Sequence, residues 1–396
     1  MGTPSSPWVR SPAWDGVWML NALWLLPIVL WLAHGYDDPQ AGPLDALYFG
    51  LTALFWIGHR VCSTWLAYCT EAYRPLLRSE PVRFIVLPLL VTLACFAVFL
   101  PADDALPWNR QERFVAMAIF DYALVSYHFA AQHFGALSLY RTRADRASCA
   151  NTRLLDRLFA LGVGGALVFL ADILAGSAAY QNQWTFLPDW LVSEQEAMRR
   201  VCTVILLLAT ALMLIAESRA ARRSLPRALY VLGLAAMVYV ALQPRGLFLF
   251  LVLWTSQHWI LATGLASQTP VAEPTPASGG RIRGAMHALN VRPWAILLTM
   301  VTVSVLLLPF FEVEASLDGG GKYYGDRLFG AFAEGLRSSA WVPALLAVGF
   351  ATGFVHYLLD RNVFRMSDPR VRAAARGLLE RPAPTLRSTD PSHISA

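Results

Sequence analysis

The sequence has few charged residues for its length. Asp, Glu, Lys and Arg make up 15% of the 396 residues, whereas hydrophobic residues make up 56%. Soluble domains carry about 25% charged residues, so the composition argues against a soluble protein and predicts a polytopic membrane protein. Cysteine is also scarce. The five cysteines lie mostly in or beside apolar runs, which excludes a disulfide framework.

Several functional motifs are absent as well. The glycines at 319–321 are not followed by Gly-Lys-Ser/Thr, so they indicate a turn and not a phosphate-binding loop. The His-x-x-x-His and His-x-x-His-His spacings of membrane desaturases do not occur. No small-residue cleavage site follows the first apolar run, which predicts a retained helix. The arginine clusters flank apolar runs, which favours contact with anionic lipid over nucleic-acid binding.

Ten apolar runs approach the length of about 20 residues that a helix needs to cross a bilayer. They predict an all-α, polytopic transmembrane helical bundle of about ten spans. The runs cover residues 17–34, 46–69, 82–100, 114–140, 155–176, 198–217, 228–243, 246–266, 294–311 and 341–359.

Arginines follow the even-numbered runs, whereas the alternate loops are acidic or neutral. Positive charge collects on cytoplasmic loops, so this alternation predicts both termini on the cytoplasmic side of a bacterial-type inner membrane. We expect a cytoplasmic segment at 1–16, a bundle at 17–366 with a flexible linker at 267–292, and a largely disordered cytoplasmic tail at 367–396. The arginines include Arg74, Arg78, Arg83, Arg141, Arg143, Arg146, Arg153, Arg219, Arg222, Arg223, Arg227, Arg281, Arg283 and Arg292.

Five of the eight histidines lie inside predicted spans. The even-numbered helices that carry them run in one direction in the predicted topology, which places the rings at a similar depth. Ionisable side chains in hydrocarbon are costly and mark functional sites, and converging imidazoles suit Fe, Zn or Cu. The predicted metal ligands are His59, His128, His133, His258, His356 and Asp360.

Helical spacing refines this set. Asp121, His128 and Gln132 share one face of the fourth helix, whereas His133 lies about 140° from His128. A π-bulge would bring residues five apart together, so His133 needs one to join His128. His356 and Asp360 are four residues apart and share a face.

A second set of residues is predicted to support the ligands or line a cavity: Asp121, Gln132, Gln257, Trp56, Trp254 and Trp259. Alternatives stay open for several residues. A single intramembrane histidine can be a structural hydrogen-bonding residue between helices, and His133 can contact a lipid headgroup near Arg141. Asp360 can pair with Arg361 or Arg365, and the tryptophans can be interface anchors.

Single histidines contributed by several membrane helices resemble the Brp/Blh class of β-carotene-cleaving dioxygenases. The matching positions are His59, His128 or His133, His258 and His356. The resemblance implies one non-haem iron held by four histidines. It lies in the pattern of histidines, because the local contexts Gly58-His59-Arg60 and His356-Tyr-Leu-Leu-Asp360 differ from that family's.

These observations predict an integral-membrane, non-haem iron oxidoreductase or oxygenase that acts on a hydrophobic, membrane-dissolved substrate, with O₂ as a candidate co-substrate. Zn, Cu and haem are alternative cofactors. A haem protein using the same histidines is one alternative function. A transporter or lipid-handling protein with a buried His/Asp proton relay is another.

Overall fold

A computed structural model of the chain describes residues 6–36, 42–103, 105–144, 150–171, 194–243, 247–272, 280–313 and 324–379. Within these ranges the regular structure is helical and contains no strand. The prediction of an all-α fold is therefore confirmed. Helices satisfy their backbone hydrogen bonds internally, which a segment in hydrocarbon requires.

Each of the ten predicted apolar runs corresponds to a helix or to consecutive helical segments. In chain order the α-helices are α1 (Pro12–Trp18), α2 (Ala22–Ala33), α3 (Pro43–Leu51), α4 (Ile57–Cys69), α5 (Arg74–Ser79), α6 (Leu87–Phe99), α7 (Arg110–Arg143), α8 (Ala150–Leu161), α9 (Gln195–Ser218), α10 (Leu225–Ala241), α11 (Leu247–Gln268), α12 (Arg281–Asn290), α13 (Pro293–Phe311), α14 (Tyr324–Phe329), α15 (Ala331–Arg337), α16 (Val342–Val363), α17 (Pro369–Ala374) and α18 (Arg376–Leu379). Three π-helical segments, Thr52–Trp56, Val82–Val86 and Gly162–Leu167, continue into or out of neighbouring α-helices.

Seven helices in the described ranges are long and apolar enough to cross a membrane. The pair α1 and α2, bent by 45°, would make an eighth. The segment Pro43–Cys69 and helix α10 are not among them, because the first includes the polar pair His59-Arg60 and the second has only 17 residues. Seven or eight candidate spans are supported, and the finer count of ten stays a prediction.

Four helices carry the predicted ligands, and all four run in the same direction: α4, α7, α11 and α16. The Tyr73 hydroxyl, just after α4, donates to the Val363 carbonyl at the end of α16 at 2.6 Å. Near the end of α7, Arg143 donates to the Leu378 carbonyl at 3.5 Å. The 3₁₀ segment after α11 packs against α18. These contacts gather the C-terminal ends of all four helices at one end of the bundle.

The described ends of the chain meet at that same end. The Arg10 guanidinium donates to the Gly377 carbonyl at 2.7 Å. The buried Asp15 carboxylate accepts the backbone N–H groups of Val9 and Arg10 at 2.8 and 3.0 Å. We call this the terminal end of the bundle and the opposite end, where α3 begins, the distal end.

The expected linker and tail contain regular structure. Helix α12 lies in the predicted flexible linker, and its buried Asn290 donates to the Cys69 carbonyl at 2.8 Å and accepts from Trp65 at 2.9 Å. Helices α17 and α18 occupy part of the predicted disordered tail. In both places, tertiary hydrogen bonds and packing order described residues whose composition indicates a loop. Residues 273–279 and 380–396 lie outside the described ranges.

Gly58 allows two helices to approach closely beside the predicted site. A Cβ added at Gly58 would lie 2.5 Å from the Met300 carbonyl oxygen, so α4 and α13 touch backbone to backbone there. The absence of a side chain at Gly58 permits this close approach. This contact positions the next residue, His59, against the bundle interior.

Candidate metal centre

Four histidines from four helices meet in the interior of the bundle. Ring centres are 4.9 Å apart for His59–His258, His59–His356, His128–His258 and His128–His356. The His258 and His356 ring centres are 6.1 Å apart. His59 and His128 therefore each contact both of the other rings. We call these four residues the histidine cluster.

The spacing of the rings fits coordination of a single ion. A metal bound by imidazole nitrogen at about 2.1 Å lies about 3.2 Å from the ring centre. Neighbouring ring centres are then about 4.5 Å apart for ligands at 90° and about 5.2 Å apart for a tetrahedron. The observed separation of 4.9 Å lies between these values.

Hydrogen bonds on the outer side hold three of the rings by their Nδ1 atoms. His59 Nδ1 donates to the Trp56 carbonyl at 2.5 Å, and His258 Nδ1 donates to Gln132 Oε1. His356 Nδ1 lies 3.1 Å from the Ser63 hydroxyl. An imidazole that donates from one nitrogen keeps a lone pair on the other, and metal-binding histidines are oriented in this way. The Nε2 atoms of His59 and His258 are therefore free to bind an ion.

The Nε2 atoms of the cluster have few hydrogen-bond partners. His356 Nε2 is buried and has no hydrogen-bond partner. His128 Nε2 lies 3.3 Å from His258 Nε2, whose proton is on the other nitrogen. A buried polar atom without a partner is costly. The buried His356 Nε2 is therefore available to a ligand that the described side chains do not supply.

Asp360 adds a carboxylate to the edge of the cluster. It follows His356 by one helical turn. Its Oδ1 lies 3.7 Å from His356 Nδ1, and its Oδ2 lies 3.7 Å from His128 Nε2. Two groups of buried residues can each bring ligand atoms within 4.8 Å of one another: His59 with His258 and His356, and His128 with His356 and Asp360.

His133 lies apart from the cluster. Its Nδ1 is 2.8 Å from the Tyr230 hydroxyl on α10, and a Cβ added at Gly164 would lie 2.8 Å from its Cδ2. The π-bulge that His133 would need to join His128 is absent, because α7 is α-helical from Arg110 to Arg143. The five-residue spacing therefore directs His133 to a different face, toward the π-helical segment Gly162–Leu167.

Two of the predicted supporting residues approach the cluster directly, and a third does so through a neighbour. Gln132 accepts the hydrogen bond from His258. The Trp259 ring lies 5.8 Å from the His59 ring. Asp121 reaches the cluster through Tyr357, whose hydroxyl donates to Asp121 Oδ1 at 3.1 Å and whose ring lies 4.8 Å from His128.

The remaining predicted residues contact other parts of the bundle. Trp56 contributes its carbonyl oxygen, while its ring lies 5.1 Å from the Arg60 guanidinium. Trp254 packs against Phe129 with ring centres 4.2 Å apart. Gln257 lines a separate small cavity between α2 and α10, beside Tyr230.

Sequence reasoning did not find Ser63, Phe129 or Tyr357. Ser63 follows His59 by four residues, so its position on the same helix face was available as a signal. Phe129 packs on His258 with ring centres 4.1 Å apart. Neither Phe129 nor Tyr357 carries a sequence signal beyond adjacency to a histidine.

No protein-family model, curated protein or solved structure matches this chain. The resemblance to the Brp/Blh class therefore depends on the arrangement of the histidines alone.

Proposed function

We propose that the chain is an integral-membrane metalloprotein whose histidine cluster binds one non-haem metal ion, foremost iron. We further propose that this site oxidises a hydrophobic, membrane-dissolved substrate with dioxygen, in a bacterial-type cytoplasmic membrane. One observation carries the proposal: buried imidazoles from four helices converge, and outer hydrogen bonds hold three of these rings by their Nδ1 atoms.

The outer hydrogen bonds argue against a proton relay through His59 and His258. A relay needs a series of groups that each accept a proton on one side and donate it on the other. Here the outer partners of His59 and His258 are a backbone carbonyl and an amide oxygen. Neither takes up a proton in the physiological pH range, so a proton entering the cluster has no onward acceptor through these rings.

Ring packing favours an ion over haem. Haem held by two opposite histidines needs a flat space for the porphyrin between them. In the histidine cluster, the other two rings occupy that space at 4.9 Å from each neighbour. A single ion needs only a small position between the rings.

Iron is the favoured ion because the donors are imidazoles beside one carboxylate, a set that suits non-haem Fe(II). The site lies among apolar helices and is lined by the aromatic rings of Phe129, Trp259 and Tyr357. These surroundings exclude water and favour an apolar substrate. The protein would supply donor geometry and a dry environment, and the ion would supply the oxygen chemistry.

Metal analysis of the detergent-purified protein tests the proposal. We expect about one ion per chain by inductively coupled plasma mass spectrometry, and about a 10-fold loss or more in His258→Ala. His133→Ala is the matched control, because His133 is equally buried but bonded to Tyr230; it should retain the metal. A wild-type protein that purifies without metal, or equal metal loss in both variants, would contradict the proposal. An absorption spectrum with a Soret band would replace the ion with haem.

A further inference from the structure

A line of oxidisable aromatic rings leads from the histidine cluster to the distal end of the bundle. The Trp259 ring lies 5.8 Å from His59. Tyr48 stacks on Trp259 with ring centres 6.2 Å apart and planes 11° apart. Tyr324 follows at 5.9 Å from Tyr48. The three rings come from α11, α3 and α14, so tertiary packing and not helical repeat places them in line.

The outer ring of this line has a proton acceptor in place. The Tyr324 hydroxyl donates to Asp45 Oδ1 at 3.0 Å. Arg327 donates to the other carboxylate oxygen at 2.7 Å, and its side chain is 43% exposed. Burial, together with Asp45, raises the pKa of the Tyr324 phenol, so the hydroxyl keeps its proton at neutral pH. Tyrosine loses a proton when it loses an electron, and Asp45 is positioned to accept it.

The other aromatic contacts of the cluster do not form such a line among the described residues. Tyr357 on His128 continues to Phe354, with ring centres 6.4 Å apart. Phe129 on His258 leads to Trp254. Both routes pass through phenylalanine, which is much harder to oxidise than tyrosine or tryptophan. The Trp259 line contains only oxidisable rings between the cluster and the distal end.

We propose that Tyr324, Tyr48 and Trp259 form an electron relay from the distal end of the bundle to the metal in the histidine cluster. A one-electron donor at that end would supply the electrons. This inference rests on the proposed function, because it requires a redox-active ion. With an ion in the cluster oxidised by dioxygen or a peroxide, Trp259 and Tyr48 would pass one electron toward it. Tyr324 loses that electron, and its O–H bond breaks as the proton passes to Asp45. The external donor then supplies one electron, and Asp45 returns the proton to the phenol.

Freeze-quench electron paramagnetic resonance tests the relay. The full-length protein is loaded anaerobically with Fe(II) and mixed with hydrogen peroxide in the absence of a donor. We expect a tyrosyl radical that disappears in Tyr324→Phe and falls at least about 10-fold in Trp259→Phe. Trp254→Phe is the matched control, since this buried tryptophan lies off the line, and it should leave the radical unchanged.

Metal content of each preparation separates the two proposals. Wild-type protein without bound iron removes the proposed function and the relay with it. The relay alone is overturned if every variant retains iron and the radical persists in Tyr324→Phe. It is also overturned if every variant retains iron and the radical is lost only in Tyr357→Phe. A cluster that binds only a redox-inactive ion such as Zn²⁺, or iron-loaded protein that forms no radical, also overturns the relay.

Discussion

Two of the groups of buried polar residues in this bundle satisfy their bonding requirements in opposite ways. One is the histidine cluster. The other, which we call the ion network, consists of Arg141, Asp156, Glu217 and Arg227. Arg227 binds Asp156 and Glu217 at 2.5 Å each, and Arg141 binds Asp156 at 2.6 Å.

The comparison separates a structural polar core from a candidate binding site. The ion network pairs two cations with two carboxylates, so its formal charge is zero. It joins α7, α8, α9 and the start of α10. The histidine cluster contains ring nitrogens that point inward and one adjacent carboxylate, with no cation from the protein among them. The ion network balances its own charges, whereas the cluster leaves the buried His356 Nε2 without a hydrogen-bond partner.

Breaking the ion network should have the largest effect on stability. Asp156→Ala removes the carboxylate shared by Arg141 and Arg227, which leaves buried guanidinium groups without their partner. Removing one member of a buried ion pair costs about 3–5 kcal/mol. We expect a clear fall in the apparent unfolding temperature in detergent, or loss of monodisperse protein. An Asp156→Ala protein as stable as wild type would show that the network contributes little.

Metal removal should have the next largest effect, and only through the histidine cluster. A ligand that binds the folded state stabilises it by about 2.7 kcal/mol at 100 times its dissociation constant. Chelation should therefore lower the unfolding temperature of wild-type protein. It should leave metal-free His356→Ala unchanged, since that variant has lost a donor. Calorimetric scans with and without EDTA check this, and an equal shift in both proteins would contradict it.

Loss of an outer hydrogen bond should have a smaller effect on the cluster. Gln132→Ala removes the acceptor that orients His258, and such partners are worth about 10–100-fold in metal affinity. Gln257→Ala is the matched control, because Gln257 precedes His258 but lines a separate cavity. Competition titration with a metal chelator measures both affinities. If the two variants lose affinity equally, Gln132 has no specific orienting role.

Another buried carboxylate, Glu312, belongs to neither group, and its effect should be the smallest. It accepts the backbone N–H groups of Tyr324 and Gly325 at 2.7 and 2.5 Å, and burial raises its pKa to about 7. Its folded pKa exceeds the unfolded value of about 4.3. The folded state therefore binds the extra proton, and stability should fall as pH rises from about 4 to 7.

Thermal unfolding across this pH window provides the measurement. The difference in unfolding temperature between wild type and Glu312→Gln should change with pH by about 2–4 °C, because glutamine does not titrate. A difference that stays constant from pH 4 to pH 8 would show that Glu312 keeps the same protonation state in the folded and unfolded chain.

The sequence predicted the helices well because apolar length is a local property. All ten apolar runs are helical in their described residues, including α10 with its 17 residues. Charge was harder to interpret. Arg141 and Arg227 fitted the expected alternation of cytoplasmic arginines, yet both are buried and paired with Asp156. An arginine at the end of an apolar run has the same sequence signal whether it faces lipid headgroups or a carboxylate on another helix.

Among the predicted ligands, sequence reasoning could find the helices but not the direction of each ring. It included both His128 and His133 among the ligands, although His133 could join His128 only through a π-bulge. The choice between them depends on Tyr230 and Gly164, which lie on other segments. It also had no means of finding the Trp56 carbonyl as the partner of His59.

The amino-acid sequence by itself determined that this chain is helical and apolar, and that histidines occur in several of its hydrophobic runs. Only the tertiary structure decided that four of those rings pack against one another and that His133 bonds to Tyr230 instead. The physical reason is that hydrophobic length acts within one segment, whereas the orientation of an imidazole is set by hydrogen bonds and contacts from helices distant in the chain.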